Sequence, residues 1–478
     1  MARPVLIAVL ALLAAGCGRA GEGASEPEPT DGFLDATADS AAPLDARWVP
    51  DADTPTFVTV RFEPRSGPVV LDWSDASGDH RTEVDGAEGQ LRLLGVPAGS
   101  QVTWTLSAVD GVHGPETVWV PEAPEPLQRW VTTRHAAGEV DDHWILTTQF
   151  HFLERSFAIA VDPEGRIRWW REAPAGHRIL RVHPRDDGLG FVWASNIADN
   201  RSDDGRIVRE AFDGSSAATT VAPRLHHDFV EADGGYAYLA WVDRDMALVQ
   251  DGPVKPMTSD AIRLVDEGGQ GSSTDVFSFF DDWPGPVTQP CSHSRLWGSF
   301  VPGRIEWTHS NSLVRDPSGD GWWVMVRFLD QLVRIHGDGT LGPVVGGVDA
   351  SVPFDGEGLP FAHGHMSQVT ADGHPLVYSN GDHVHERDGS YVVELDVDED
   401  VVREVGRIPE PMGRFVAYLG DARRLPGGHT LVVDPDVGLY EVAPDGSVVW
   451  EARHVPEDDI DYNLGRAELI DPLPPYGP

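Results

Sequence analysis

A short phrase that returns along the chain limits what it can fold into. Glu164-Gly165-Arg166-Ile167-Arg168-Trp169 recurs as Asp445-Gly446-Ser447-Val448-Val449-Trp450, and more weakly as Asp338-Gly339-Thr340-Leu341. It is an acidic-Gly turn followed by a strand that ends in Trp. A second phrase, a Gly turn and then an apolar strand, occurs at Gly234-Gly235-Tyr236, Gly321-Trp322-Trp323, Gly373-His374-Pro375 and Gly427-Gly428-His429. Together they mark six units, beginning near Trp144, His177, His227, His309, His365 and Leu419. Four short strands repeated at about 40–50 residues are the pattern of a β-propeller. No 3.6-residue periodicity is long enough for a substantial helix. The expectation is an all-β chain whose residues 126–478 form a six-bladed β-propeller. The unit between Asp243 and Arg304 is the longest, and a seventh blade would have to lie there.

Ahead of the repeats, residues 51–125 carry alternating strands such as Phe57–Phe62, Val69–Trp73 and Val102–Leu106, separated by Gly, Asp and Pro turns. This spacing predicts a small β-sandwich similar to fibronectin type III or immunoglobulin-like modules. Residues 18–50 are rich in Gly, Ala, Ser, Pro and acidic side chains, and read as a disordered linker. Residues 1–17 read as a lipoprotein signal peptide. Arg3 precedes the apolar run Val5–Ala15, and Leu13-Ala14-Ala15-Gly16-Cys17 has the form of a lipobox with Cys17 as the lipidated residue. The run is too short to cross a bilayer as a helix. The expected location is the periplasmic or cell-surface face of a membrane, the outer membrane favoured, with membrane contact through the lipid anchor.

The formal charge of −41, with Lys255 the only lysine, opposes binding to nucleic acid or to an anionic lipid face. An anionic substrate would need a local cluster of positive groups inside this field. Cys291 is the only other cysteine, so the mature chain is expected to lack an internal disulfide.

Nineteen histidines are unevenly placed. His227, His309 and His365 each stand just before the strand that opens a new repeat. Equivalent positions on successive blades converge in a propeller, so these three rings are expected to meet. Any one of them alone could be a hydrogen-bonded structural residue. Asn311 shares a strand face with His309. Arg327 follows in Val326-Arg327-Phe328, on the expected next strand; it is either a surface arginine or a buried guanidinium suited to an oxyanion.

Trp307-Thr308-His309-Ser310-Asn311-Ser312, Arg327, His227-Asp228, His365 with Gly373, and the final Gly420–Gly428 segment resemble the arylsulfotransferase family. The resemblance covers roughly residues 140–455. It implies a six-bladed propeller that moves a sulfuryl group from an aryl sulfate donor to a phenolic acceptor, both small molecules, without cofactor, metal or a nucleotide sulfate donor. It also implies that His365 is the nucleophile, forming a sulfohistidine in a ping-pong cycle. His309, Asn311 and Arg327 would hold the sulfuryl oxygens, and His227 would act as acid and base. Two other readings stay open. The propeller could be a non-catalytic, lipid-anchored binding or scaffold protein. His363-Gly364-His365 and His383-Val384-His385 could instead hold a metal.

Overall fold

The computed structural model describes residues 42–472 except 128–129, 136–142, 152–154, 189, 198–201, 213, 248–251, 285–302, 383–388, 455–461. Cys17, Cys291, His383 and His385 lie outside the described residues.

Six sheets built on four antiparallel strands follow one another as blades, and two of them carry a fifth strand. The inner strands of blades two to six are His177–Pro184, Leu225–Ala232, Ser310–Arg315, Gly364–Val369 and Asp421–Arg424. The inner strand of blade one comes from the other end of the chain. Asn463–Ile470 pairs antiparallel with Trp144–Phe150, so Trp144 opens the second strand of its blade rather than the first. Each inner strand packs beside the next, and the sixth returns to the first, closing a ring. The outer edge of blade six is completed by Trp130–Arg134, which pairs with Val448–His454. Both ends of the propeller sequence are therefore stitched into the ring. The long unit after Asp243 holds no seventh blade among the described residues. It lengthens one hairpin, Gly235–Ala247 with Val254–Asp266, and adds the two-residue strand Ile305–Glu306.

The recurrent phrases have packing explanations. The blades are held by apolar layers between neighbours, one at each of the six junctions. Trp169 fills the junction of blades one and two, its ring edge-on to Phe191 at 4.2 Å between centroids. Trp450 does the same between blades six and one, where its Nε1 donates to the Pro163 carbonyl at 2.6 Å. Gly321 has φ +91°, and a β-carbon there would lie 2.0 Å from the Ile335 carbonyl oxygen. No other residue fits that turn.

Strand pairing starts earlier than expected. Ala42–Pro43 and Ala46–Pro50, placed in the linker by composition, pair with Gly111–Trp119 and Val58–Phe62. Leu44 and Ala46 are buried in the sandwich core, which explains why this polar-flanked segment is ordered. The five-stranded and three-stranded sheets of the sandwich enclose Val60, Leu71, Leu91 and Trp104. The sandwich abuts blade one through Phe57 and Leu94, and through Arg168 Nη1, which donates to the Gly95 carbonyl at 3.0 Å.

Removing a fully buried indole from a blade junction leaves a cavity that the rigid neighbours cannot close. Trp169→Ala is expected to cost about 3–5 kcal/mol, whereas Trp119→Ala, at a site 60 % exposed, should stay within about 0.5 kcal/mol. Chemical denaturation of both variants checks the difference.

Candidate active site

Because the inner strands run parallel around the ring, their N-terminal ends gather at one end of the propeller. Three histidines there have left-handed backbones: His227 (φ 50°), His309 (φ 53°) and His363 (φ 49°), with Leu419 (φ 57°) at the matching place in blade six. Such a conformation costs a residue with a β-carbon on the order of 1 kcal/mol or more. The pairing of the first two strands shifts register beside each histidine. These bulges turn the side chains out of the sheet alternation.

The register differs from the expectation in one respect. The residue that shares the backbone of His227 and His309 is His363, not His365. His363 turns away, its Nδ1 3.1 Å from the Gly381 carbonyl. His365 stands two residues further on and reaches the cluster from inside its strand. The three expected rings still meet. His227 lies 4.8 Å from His309 and 6.3 Å from His365, centroid to centroid. Phe328 packs on His309 at 4.9 Å, and Trp241 lies 6.3 Å from His227, giving the cluster apolar walls.

Each imidazole has a different neighbour behind it. His309 Nδ1 meets Glu306 Oε1 at 2.5 Å. His227 Nδ1 meets His226 Nδ1 at 2.9 Å. His365 is buried, and its Nδ1 has no hydrogen-bond partner. Burial drives the His365 pKa well below its usual value, and the charges of Arg327, Arg466 and His309 push it further down; the backbone of Gly420 opposes them. His227 is lowered for the same first reason, then by His309, His226, His365 and Arg178. Both rings are therefore neutral at pH 7, as a nucleophile or a base must be.

Asn311 is fully buried; its Nδ2 donates to the Gly364 carbonyl at 3.3 Å, while its Oδ1 has no partner. Arg327 is buried and so is not a surface arginine. It does not lie on a strand: strand Trp322–Val326 ends before it, and it opens the 3-10 turn Arg327–Leu329. The turn leaves the guanidinium free to cross to blade five. There Nη1 donates to Asn380 Oδ1 and, at 3.2 Å, to the His363 carbonyl, and Nη2 donates to the Ala417 carbonyl at 2.6 Å.

Sequence reasoning missed four contributors. Arg466, on the closing strand, is buried, ion-paired to Asp228, and keeps Nη2 without a partner. Arg178, at the start of the blade-two inner strand, has its pKa pushed down to about 10 by burial. His226 and Asp260 stand behind His227, with His226 Nε2 3.2 Å from Asp260 Oδ1. Only the doubled His226-His227 was visible as a signal. Nothing local marks Arg466, because ring closure alone brings it near blade five. Arg178 acts on His227, and Arg327 and Arg466 act on His365, so positive groups stand around the histidines within a strongly negative protein. Among the described residues, no group of three or more His, Cys, Asp or Glu side chains is placed to hold a metal ion.

Clustered imidazoles beside buried guanidiniums define a site suited to transfer of a small anionic group. The sequence pattern of the arylsulfotransferase (ASST) family matches residues 131–347. That span takes in His227, His309, Asn311 and Arg327, and ends before His365 and Arg466. Over that span, a little under half of its length, the chain is similar to the arylsulfotransferases. Comparison with curated proteins finds no match. Among solved structures, a protein of unknown function from Bacteroides caccae is 14% identical, with a TM-score of 0.40, covering 68% of this chain and 98% of that one. Streptogramin B lyase is 10% identical, with a TM-score of 0.37, over 72% and 100% of the two chains. The β-propeller domain of Cps50 (Swd1) from Myceliophteria thermophila is 9% identical, with a TM-score of 0.31, over 68% and 100%.

The depressed histidines tie stability to pH. With folded pKa values of His227 and His365 below those of the unfolded chain, the unfolded state binds protons first as pH falls. Stability is therefore expected to decline from about pH 6.5 downward. Thermal melts between neutral and mildly acidic pH should show a decline that becomes shallower in His227→Phe.

Proposed function

We propose that this protein transfers a sulfuryl group from an aryl sulfate ester to a phenol through a sulfohistidine at His365, in a ping-pong cycle without a nucleotide sulfate donor. The observation that carries this reading is a buried, neutral imidazole with an unpartnered Nδ1, set against the charges of Arg327 and Arg466. An imidazole nitrogen of His365 attacks sulfur, the N–S bond forms and the S–O bond to the aryl group breaks. His227 protonates the departing phenolate. In the second half, His227 takes the proton of the acceptor phenol, whose oxygen attacks sulfur and frees His365. His309, Asn311 and Arg327 face the sulfuryl oxygens. His309 is held by Glu306 and Arg327 by blade five before the charge moves, so little reorganisation accompanies the reaction. Glu306 orients the His309 ring.

Arginine has a specific advantage at position 327. Its fork is held by three acceptors at once, which the point charge of lysine cannot satisfy. We also propose that Cys17 carries a lipid anchor on the outer face of the inner membrane or on the outer membrane. Nucleotide-activated sulfate is not supplied there, and a donor carrying its own sulfuryl group suits the setting.

The test uses a radiolabelled aryl sulfate with the purified protein. Wild type should retain about one label per chain and release coloured phenol from para-nitrophenyl sulfate, faster with added phenol. His365→Ala should retain no label and lose turnover. Arg327→Lys should keep the label site but lower kcat by about 10²–10³. A wild type that neither takes up label nor releases phenol across a panel of donors favours the binding-protein reading.

A further inference from the structure

The proposed cycle asks His227 to give up a proton and later hold one, yet its surroundings oppose a positive charge. His309, His365 and Arg178 face it from blades four, five and two, and burial disfavours its charged form. His226 stands on its other side, in the opposite electrostatic setting. It is fully buried, its ring stacks on Trp241 at 3.7 Å, and its Nε2 lies 3.2 Å from Asp260 Oδ1. Asp260 is itself fully buried, and its Oδ2 accepts from the Ser310 backbone N–H at 2.5 Å. Burial alone would raise the Asp260 pKa, but the neighbouring His226, with Ser310 and Thr308, holds it below the usual range. A buried carboxylate kept ionised wants a cation beside it.

We infer that His226 and Asp260 form a proton store for His227, joined through the 2.9 Å contact between the two Nδ1 atoms. This rests on the sulfuryl-transfer reading above. In the resting enzyme His226 is an imidazolium against the Asp260 carboxylate, and its Nδ1–H donates to His227 Nδ1. When the aryl–oxygen leaving group departs, the proton on His227 Nε2 passes to the phenolate. The Nδ1 proton of His226 moves to His227 Nδ1, leaving both imidazoles neutral. In the second half the acceptor phenol gives its proton to His227 Nε2, the Nδ1 proton returns to His226, and the starting state is restored. The positive charge thus never has to rest among His309, His365 and Arg178. His226 and Asp260 are positioning residues, since neither touches the reacting atoms. His226 Nε2 and Asp260 Oδ1 are both buried without a hydrogen-bond partner, and at 3.2 Å they face each other as a close ion-pair contact.

The inference is tested by histidine nitrogen NMR and by donor choice. At neutral pH the wild type should show one buried, doubly protonated histidine that is absent from His226→Gln and neutral in Asp260→Asn. A His226 that is neutral in the wild type overturns the store, whatever the catalytic result. In turnover, Asp260→Asn should slow phenyl sulfate, whose leaving group needs a proton, by about 10²–10⁴. It should slow para-nitrophenyl sulfate at least tenfold less, and move the acidic limb of the pH profile. His226→Gln should reproduce the split. An equal fall with both donors and an unmoved pH profile mean that the pair is only structural. Failure of the wild type to label His365 strikes the sulfuryl-transfer reading instead, and leaves the NMR result standing or falling by itself.

Discussion

The pairing of Asn463–Ile470 with Trp144–Phe150 is the contact on which the rest of the molecule depends. A propeller blade hides its faces only against its neighbours, so a ring with one open junction would expose two apolar layers. Antiparallel hydrogen bonds between strands more than three hundred residues apart close that gap. They also complete the site's positive groups, because Arg466 rides on the closing strand and forms its ion pair with Asp228 of blade three. Closure and chemistry are therefore linked through one strand. Both are non-local, and the loop entropy of joining the ends is offset only when the junction layers are in place.

The site resolves an electrostatic conflict posed by the composition. A chain of charge −41 repels anions at long range. Inside, positive and negative groups are matched one against another over a few residues. Arg178, Arg327 and Arg466 stand near imidazoles that burial keeps neutral, while Asp228, Asp260 and Glu306 are committed to individual cationic or imidazole partners. Local geometry outweighs the global field because buried charges are screened far less than exposed ones.

Much of this was legible in the sequence, and the limits follow from what repeats can encode. Turn glycines and junction tryptophans recur because every blade needs the same turn and the same filler, so blade number could be counted. The meeting of His227, His309 and His365 followed from their places at the starts of units. The finer register did not. Bulges beside His309 and His365 let His363 take the position that simple spacing gives to His365. Arg327 was visible, but not the turn that carries it across to Asn380. Arg466 and Asp260 were illegible because their partners are fixed by ring closure and by neighbouring blades. Alternation in Ala42–Pro50 was too short to be seen against a linker-like composition, although Leu44 and Ala46 are buried.

The left-handed backbones at His227, His309 and His363 also bear on how such a site persists. Glycine occupies that region without strain, and asparagine more easily than most residues. Drift at these positions therefore has a downhill direction, toward residues that relieve the backbone and carry no imidazole. At His309 and His363, however, the backbone relief is offset by a lost bond, to the buried Glu306 and to the Gly381 carbonyl. At His227 and His309 the backbone gradient and the chemistry point in opposite directions, while at His363 the opposing bond is a structural one.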